Sequence, residues 1–253
     1  MADHSQHGGA LPRFYTPDLS SDLVDLPAGE AHHARNVMRL KVGSAVELFD
    51  GLGTSAEASV TQVGRSGVSV SVTRRGEPRA RPAPLVELAF AVPRGKRVDF
   101  LLEKATELGA AVLQPVIFER SVAGGESLSA GKRDRWMSHC VSAAKQCGLN
   151  FLPELCDPLP LGEFVGGCAS RHKLVGDVEE TTQPLATALS DWSCEDSVCV
   201  LVGPEGDLSP AEWPVVRGSG FVGVHLGHTT LRVETAGIAL LAGVTAVCDG
   251  IGR

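Results

Sequence analysis

Two polar loops in the C-terminal half of the chain contain the residue types best suited to chemistry. The first loop reads Gly203-Pro204-Glu205-Gly206 and follows an apolar run at 198–202. It leads into Ser209-Pro210-Ala211-Glu212, where an N-cap serine, a first-turn proline and a capping-box glutamate predict a helix start. Ligands of open α/β sheets bind at such carboxyl ends of strands, although the segment could equally be an ordinary strand-to-helix turn.

The second loop lies between a strand-like segment ending near 225 and a helix rich in small residues. It contains Leu226-Gly227 and the run Leu231-Arg232-Val233-Glu234-Thr235-Ala236. A carboxylate such as Glu205 or Glu234 can accept a proton, and the Arg232 guanidinium can stabilise negative charge or hold a phosphate. Taken alone, Arg232 and Glu234 would more often be a solvated pair at a helix start.

The elements that must position these loops follow from the patterning after residue 84. Apolar runs predict strands at 85–92, 112–118, 172–177, 197–202 and 221–225. Amphipathic segments predict helices at 97–108, 132–147, 183–190, 209–218 and 233–248. This alternation is typical of an α/β domain with a largely parallel sheet.

The N-terminal part of the chain has a different pattern. Between residues 44 and 73, apolar and polar side chains alternate and turn signals occur at 50–51 and 64–67, which predicts a small antiparallel sheet or barrel. Three prolines and a glycine between 74 and 84 interrupt any regular element. We therefore expect a β domain at 1–77, a linker at 78–84 and an α/β domain at 85–253.

The composition is that of an ordinary globular protein and argues against several function classes. The formal net charge of −7 is unlike that of a protein that coats nucleic acid through bulk charge. The sequence has no segment like a signal peptide or a membrane span, so we expect a cytoplasmic protein without membrane contact. The seven cysteines include no Cys-x-x-Cys pair and the histidines lack metal spacing, so we expect reduced thiols and no metal.

Common nucleotide and hydrolase motifs are absent or stand in the wrong context. Residues 51–56 match the dinucleotide pattern G-x-G-x-x-A, but a second strand follows them, so we predict a hairpin turn. Residues 218–223 match G-x-G-x-x-G, but they leave a helix and enter a strand, which is the reverse of the required order.

Taken together, the motifs resemble those of a known family. The two loops, with Leu226-Gly227 between them, resemble the RsmE branch of the SPOUT RNA methyltransferases. Further matching segments lie at 13–15, at 32–43, at 103–109 (Glu-Lys-Ala-Thr-Glu-Leu-Gly) and at 143–148 (Ala-Ala-Lys-Gln-Cys-Gly). The resemblance therefore spans nearly the whole chain.

The resemblance implies a fold, an activity and partners. The implied fold is an N-terminal PUA-like, RNA-binding β-barrel joined to a C-terminal α/β domain with a deep trefoil knot, a topology that is otherwise almost absent from proteins. The implied activity is S-adenosylmethionine-dependent methylation of the N3 of a uridine in the decoding region of 16S rRNA. The implied partners are 16S rRNA or the small ribosomal subunit and a second copy of the chain in a homodimer.

The resemblance and the residue types together predict three groups of site residues. The expected catalytic residues are Arg232, Glu205 and Glu234. The expected cofactor-binding residues are Leu201, Val202, Gly203, Pro204, Glu205, Gly206, Leu226, Gly227, Thr230, Leu231, Arg232, Thr235 and Ala236. The expected RNA-binding residues are Arg13, His33, Arg35, Arg39, Lys41, Lys96, Arg97 and Lys104.

Two departures from the family pattern bear on RNA contacts. The family usually has Glu-Gln-x-x-Arg where this chain has Lys145-Gln146-Cys147-Gly148-Leu149, and His228-Thr229-Thr230 replaces the commoner Pro-Arg-Ile type. An RNA contact near 149 and 229 is therefore in question. Two alternatives stay open: a SPOUT enzyme acting on another RNA position, such as a ribose hydroxyl, and a non-catalytic RNA-binding ribosome-assembly factor.

Overall fold

The computed structural model describes residues 11–121, 127–177 and 182–251 and divides the chain into two compact units. The first unit comprises the chain up to Arg81 together with Gly148–Phe151, and the second comprises Pro82–Cys147 and Leu152–Arg253. The division after Arg81 falls within the segment predicted to be a linker. Sequence patterning did not assign Gly148–Phe151 to the N-terminal unit.

The N-terminal unit is a five-stranded sheet with two short helical turns. Its elements are β1 (Arg13–Tyr15), β2 (Leu23–Asp25), α1 (Ala28–His32), a π-helical turn (His33–Val37), β3 (Ala45–Phe49), β4 (Ser55–Val63) and β5 (Val68–Arg75). The strand order is β1-β3-β4-β5-β2. The predicted antiparallel pairing holds for β2 to β5, but β1 pairs with β3 in parallel.

Alternation along these strands creates the core of the N-terminal unit. Ala56, Ala58 and Val60 of β4 point inward and are buried, while the residues between them are more exposed. They pack with Phe14, Leu48 and Val70 in one apolar cluster. The predicted hairpin at 51–56 is present as the connection between β3 and β4.

The C-terminal unit is an α/β domain built on a parallel sheet. Its strands are β6 (Val86–Ala91), β7 (Val112–Ile117), β8 (Glu154–Leu155), β9 (Leu159–Pro160), β10 (His172–Gly176), β11 (Gln183–Pro184), β12 (Val198–Val202) and β13 (Val222–His225). Its helices are α2 (Arg97–Glu107), α3 (Ala130–Cys147), α4 (Leu161–Gly167), α5 (Leu185–Ala188), α6 (Glu212–Gly218) and α7 (Val233–Ile251). The strand order is β11-β13-β10-β12-β6-β7-β8, and β9 pairs with β7.

The central strands are buried on both faces because helices cover each side of the sheet. Alternate residues of β6 and β12 divide between two cores. Val198, Val200 and Val202 pack with residues of α2, α3 and α7, whereas Cys199 and Leu201 pack with residues of α4 and α6. This alternation decides which side chains can reach the site described below.

Two further observations concern membrane contact and cysteine chemistry. Among the residues that the structure describes, no helix combines the length and the apolar character needed to cross a bilayer. Cys194 and Cys248 form a disulfide, so the expectation of seven reduced thiols is wrong for that pair. The other five cysteines are free thiols.

Candidate functional site

A cavity lies where three neighbouring parallel strands of the C-terminal unit end. The segments that follow β10, β12 and β13 form its walls, and α7 closes it from one side. Its volume is about 210 Å³. The lining residues are Gly176, Asp177, Val202, Gly203, Pro204, Glu205, Asp207, Val224, His225, Leu226, Gly227, Thr229, Thr230, Leu231, Val233, Ala236 and Leu240.

The loop after β12 is held in one conformation by local bonds. The Asp207 amide donates to the Pro204 carbonyl at 2.9 Å, and Asp207 adopts a φ of 61°, a left-handed conformation that aspartate tolerates better than most residues. The Arg120 guanidinium donates to the Gly206 carbonyl at 2.7 Å. A Cβ atom at Gly203 would overlap Leu208 Cδ1, so a larger residue at this position would displace the Leu208 side chain.

The predicted capping box at the end of this loop is present. The Ser209 amide donates to the Glu212 carboxylate at 2.7 Å, and the Glu212 amide donates to the Ser209 hydroxyl at 3.3 Å. The helical pattern of α6 begins at Glu212, three residues later than the sequence predicts. The exchange of bonds fixes the direction in which the chain leaves the cavity.

Small residues of α7 allow the helix to lie close to the sheet. A Cβ atom at Gly237 would stand 3.2 Å from Leu101 Cδ1 and 3.5 Å from Leu88 Cδ1. The small-residue pattern predicted after residue 235 therefore serves close packing. This packing brings Ala236 and Leu240 of the same helix to the cavity wall.

Arg97 at the start of α2 connects the two carboxylates that the sequence singles out. Its Nη2 atom lies 3.1 Å from Glu205 Oε1, and its Nη1 atom lies 3.8 Å from Glu234 Oε2. The Glu234 side chain is 8% exposed and the Glu205 side chain is 39% exposed. One guanidinium therefore stands between a buried carboxylate and an accessible one at the cavity rim.

Most of the residues predicted to bind the cofactor line the cavity. They are Val202, Gly203, Pro204, Glu205, Leu226, Gly227, Thr230, Leu231 and Ala236. Gly206, Arg232 and Thr235 are exposed and do not line it. Leu201 is fully buried, and its side chain packs on the opposite face of the sheet because adjacent strand residues alternate.

Sequence patterning missed the third wall of the cavity. Gly176 is the last residue of β10 and Asp177 follows it, and β10 pairs with both β12 and β13. The Asp177 side chain is 2% exposed and lies 3.6 Å from the Arg217 guanidinium. Since 172–177 was predicted to be a strand of a parallel sheet, the shared carboxyl edge was the signal that could have identified these residues.

Arg232 precedes α7 on the protein surface. Its backbone carbonyl accepts the Ala236 amide at 2.8 Å, and its side chain is exposed. Arg232 therefore lies next to the cavity-lining Leu231 and Val233 without lining the cavity itself. Its catalytic role stays a prediction.

The cations predicted to bind RNA in the N-terminal unit differ in how accessible they are. The Arg13 side chain is 9% exposed, lies 3.0 Å from Glu47, stacks over Phe49 and donates to the Leu149 carbonyl at 3.2 Å. This geometry favours a structural role for Arg13. Arg39 and Lys41 are exposed, and the large apolar side chains of Val37, Met38 and Val42 beside them are also exposed.

The other predicted RNA contacts have varied environments. Arg35 is partly buried, and its Nη1 atom donates to the Gly64 carbonyl at 2.8 Å; His33 is partly buried and packs edge-on to Phe14. In the C-terminal unit, Lys96 is exposed. Lys104 forms ion pairs with Glu103 at 3.0 Å and with Glu107 at 2.8 Å, so its charge is locally balanced.

The chemistry of the cavity wall suits an adenosine-containing ligand with a charged tail. Val202, Val224 and Leu240 provide an apolar surface for a planar base. The loops at the strand ends bring backbone amides and carbonyls to the same cavity. Asp177 and Glu205 provide carboxylates that can meet hydroxyl groups or positive charge.

Models of two protein families match this chain. A model described as an RNA methyltransferase domain matches residues 81–245, and one described as an RNA methyltransferase PUA domain matches residues 26–73. The chain is 32% identical over 235 residues to a ribosomal RNA small subunit methyltransferase E of Mycobacterium bovis. That alignment covers 90% of the chain and 87% of the relative.

Solved structures resemble the chain over almost its full length. A ribosomal RNA small subunit methyltransferase E from Neisseria gonorrhoeae, bound to S-adenosylmethionine, has a TM-score of 0.81 at 30% identity and covers 94% of this chain and 98% of its own. A Legionella pneumophila structure described as a methyltransferase in complex with the cofactor SAM has a TM-score of 0.85 at 28% identity, with the same coverage.

Proposed function

This chain belongs to the RNA methyltransferase family that includes ribosomal RNA small subunit methyltransferase E, and on that premise we propose that it methylates the N3 of a uridine in the decoding region of 16S rRNA. It is an S-adenosylmethionine-dependent rRNA methyltransferase with a PUA domain in its N-terminal part. The position of the methylated atom is the new element of the proposal.

The observation that carries the proposal is that Arg97 links Glu205, which lines the cavity, to the buried Glu234. When bound, S-adenosylmethionine supplies the methyl group. The chain's own task is to place the uracil and to remove the N3 proton, because this imide nitrogen is protonated at neutral pH.

Glu205 is the better candidate for the group that removes the proton. Its carboxylate lines the cavity and is 39% exposed, so a flipped base can reach it. Glu234 is buried and lies beside Arg97, which suits it to holding the guanidinium. Arg97 then fixes the direction of Glu205 through their 3.1 Å contact.

Arg232 has the position expected of a group that meets the RNA. It is exposed next to the cavity-lining Leu231, and its guanidinium can stabilise charge on a uracil carbonyl or hold a phosphate. We assign the cofactor contacts to the predicted residues that line the cavity, together with Gly176, Asp177, Val224 and Leu240.

The RNA-facing surface of the N-terminal unit is centred on Arg39 and Lys41. Both are exposed, and exposed apolar side chains of Val37 and Val42 flank them, which is a combination of charge and apolar area suited to RNA. In the C-terminal unit, Lys96 is kept as an RNA contact. Arg13, Arg97 and Lys104 are left out because ion pairs hold each of them.

A homodimer, a trefoil knot and a cytoplasmic location complete the proposal, and all three are based on the family resemblance. Phe100 and Leu226 of the C-terminal unit are 50% and 42% exposed, which is apolar area that a dimer interface could cover. Sedimentation at micromolar concentration tests the dimer: a single species of twice the 26.5 kDa chain mass is expected, and a monomer would contradict it.

Glu205→Gln tests the proton-removal role. We expect methyl transfer to fall about 100-fold or more, while calorimetry shows nearly unchanged S-adenosylmethionine affinity. The matched control is Glu163→Gln, because Glu163 is an exposed glutamate of α4, on the other face of the sheet. Near-normal turnover of Glu205→Gln would remove Glu205 from the mechanism.

A further inference from the structure

Three potential metal ligands meet on the face of the sheet that α4 and α6 cover. They are Glu87 of β6, Cys168 directly after α4 and Cys199 of β12. One ligand atom from each residue lies within 4.8 Å of the others. Cys168 Sγ stands 4.0 Å from Glu87 Oε2.

Strand register and helix length assemble this cluster. Cys199 and Glu87 are cross-strand partners in the parallel pair of β12 and β6. Both side chains point to the α4 face, as Ala89 and Leu201 two residues further along do. Helix α4 packs on this face through Phe164 and ends at Gly167, which places Cys168 at the cluster.

The donor set is that of a zinc-class cation. Two thiol groups and a carboxylate match the sulfur and oxygen ligands of zinc, with bonds of about 2.3 Å and 2.0–2.2 Å respectively. A tetrahedral centre with such bonds separates neighbouring ligand atoms by roughly 3.5–3.8 Å. The separations of up to 4.8 Å therefore need contractions of at most roughly 1 Å.

Two of the three potential ligands are accessible to solvent. Cys199 is buried, while Glu87 and Cys168 are partly exposed, so a water molecule can reach a fourth position. The nearest cation in the same cross-strand row, Lys173, directs its Nζ atom to the Ser219 carbonyl at 3.2 Å.

We propose that Glu87, Cys168 and Cys199 bind one divalent cation of the zinc class, which ties the C-terminal end of α4 to the centre of the sheet. Cys199 lies three residues before Val202, about 10 Å along the strand, and its side chain is on the opposite face from the cavity. The site is therefore structural and separate from methyl transfer. It does not depend on which RNA atom the protein methylates.

Cobalt binding to the full-length protein tests the site. The protein is treated with a chelator in the presence of a non-thiol reductant and then titrated with Co²⁺, which gives thiolate-to-metal absorption when cysteine sulfur binds it. We expect saturation at one equivalent in the wild type, and Zn²⁺ should displace the Co²⁺ and raise the Tm.

Matched cysteine variants decide which thiols are responsible. Cys168→Ser is expected to lose the absorption and the Zn²⁺-dependent rise in Tm, whereas Cys147→Ser, which removes an exposed free cysteine, is expected to keep both. Glu87→Gln should weaken the affinity for Co²⁺ by about tenfold or more. This variant keeps the size of the side chain, so it still tests the site if Cys199→Ser fails to fold. S-adenosylmethionine affinity should be equal with and without Zn²⁺.

Two results would overturn the proposal. One is the absence of stoichiometric thiolate-to-metal absorption in the reduced wild-type protein. The other is absorption that survives in Cys168→Ser, because it would then arise from other thiols, such as those of the reduced Cys194 and Cys248.

Discussion

Replacement of Arg97 by alanine distinguishes a positioning role from the RNA contact that the sequence suggests. The guanidinium lies 3.1 Å from Glu205 and 3.8 Å from Glu234. If it positions these carboxylates, its loss should lower kcat and the free energy of unfolding together. If it binds RNA, its loss should mainly raise the KM for rRNA.

The magnitude follows from the two contacts. The accessible pair with Glu205 is worth up to about 1 kcal/mol. The pair with Glu234 has a Coulomb energy of roughly 4 kcal/mol at an effective dielectric constant of about 20, but water at the partly exposed Arg97 reduces it. We expect the free energy of unfolding to fall by about 2 kcal/mol, and kcat to fall about 100-fold because Glu205 is no longer oriented.

The assays are urea unfolding and methyl transfer from labelled S-adenosylmethionine to small ribosomal subunits. Lys96→Ala is the matched control, since Lys96 is the exposed neighbouring cation and is still assigned to the RNA surface. Lys96→Ala should change the free energy of unfolding by no more than about 0.5 kcal/mol. It should also lower the slope of log RNA affinity against log salt concentration by about one. An Arg97→Ala variant that behaves like Lys96→Ala would refute the positioning role.

Three further predictions concern packing and thiol reactivity. Gly203→Ala places a Cβ against Leu208, so it should lower the free energy of unfolding by about 1–3 kcal/mol and weaken cofactor binding in calorimetry. Gly206→Ala, whose Cβ would lie 3.6 Å from Arg120, should change neither quantity. Leu201→Ala should lower stability in urea by about 2–5 kcal/mol without changing the cofactor affinity of the folded protein, because its buried side chain faces away from the cavity; a selective loss of affinity would contradict this. Burial raises the pKa of Cys140 to about 11, so iodoacetamide at pH 8 should label the exposed Cys147 before Cys140. Equal labelling of the two cysteines in peptide mass spectrometry would contradict the buried position of Cys140.

Periodicity and local signals in the sequence were sufficient for the main elements of the C-terminal unit. The strand predicted at 197–202 is β12, and the helix predicted at 97–108 is α2. Two-residue strands such as β8 and β11 are too short to show a period, and the seven-residue α4 lies in a segment where no helix was predicted. The capping box was predictable because its bonds join residues only three positions apart.

The site was predictable only where its residues lie in the two conspicuous loops. The pairing of Arg97 with Glu205 and Glu234 depends on α2 following β6, which is the sheet neighbour of β12. That order is a tertiary property, so an arginine at position 97 resembled any exposed cation. The cluster of Glu87, Cys168 and Cys199 was unpredictable for the same reason, because register and not sequence spacing brings it together.

The assignment of the methylated atom is the central claim. Small ribosomal subunits from a strain without this modification are incubated with the purified protein and S-adenosylmethionine, and the 16S rRNA is digested and examined by mass spectrometry. The account predicts N3-methyluridine at one position in the decoding region, and its loss with Glu205→Gln but not with Glu163→Gln. A methylated ribose, a different methylated base or no methylation by the active wild-type protein would contradict it.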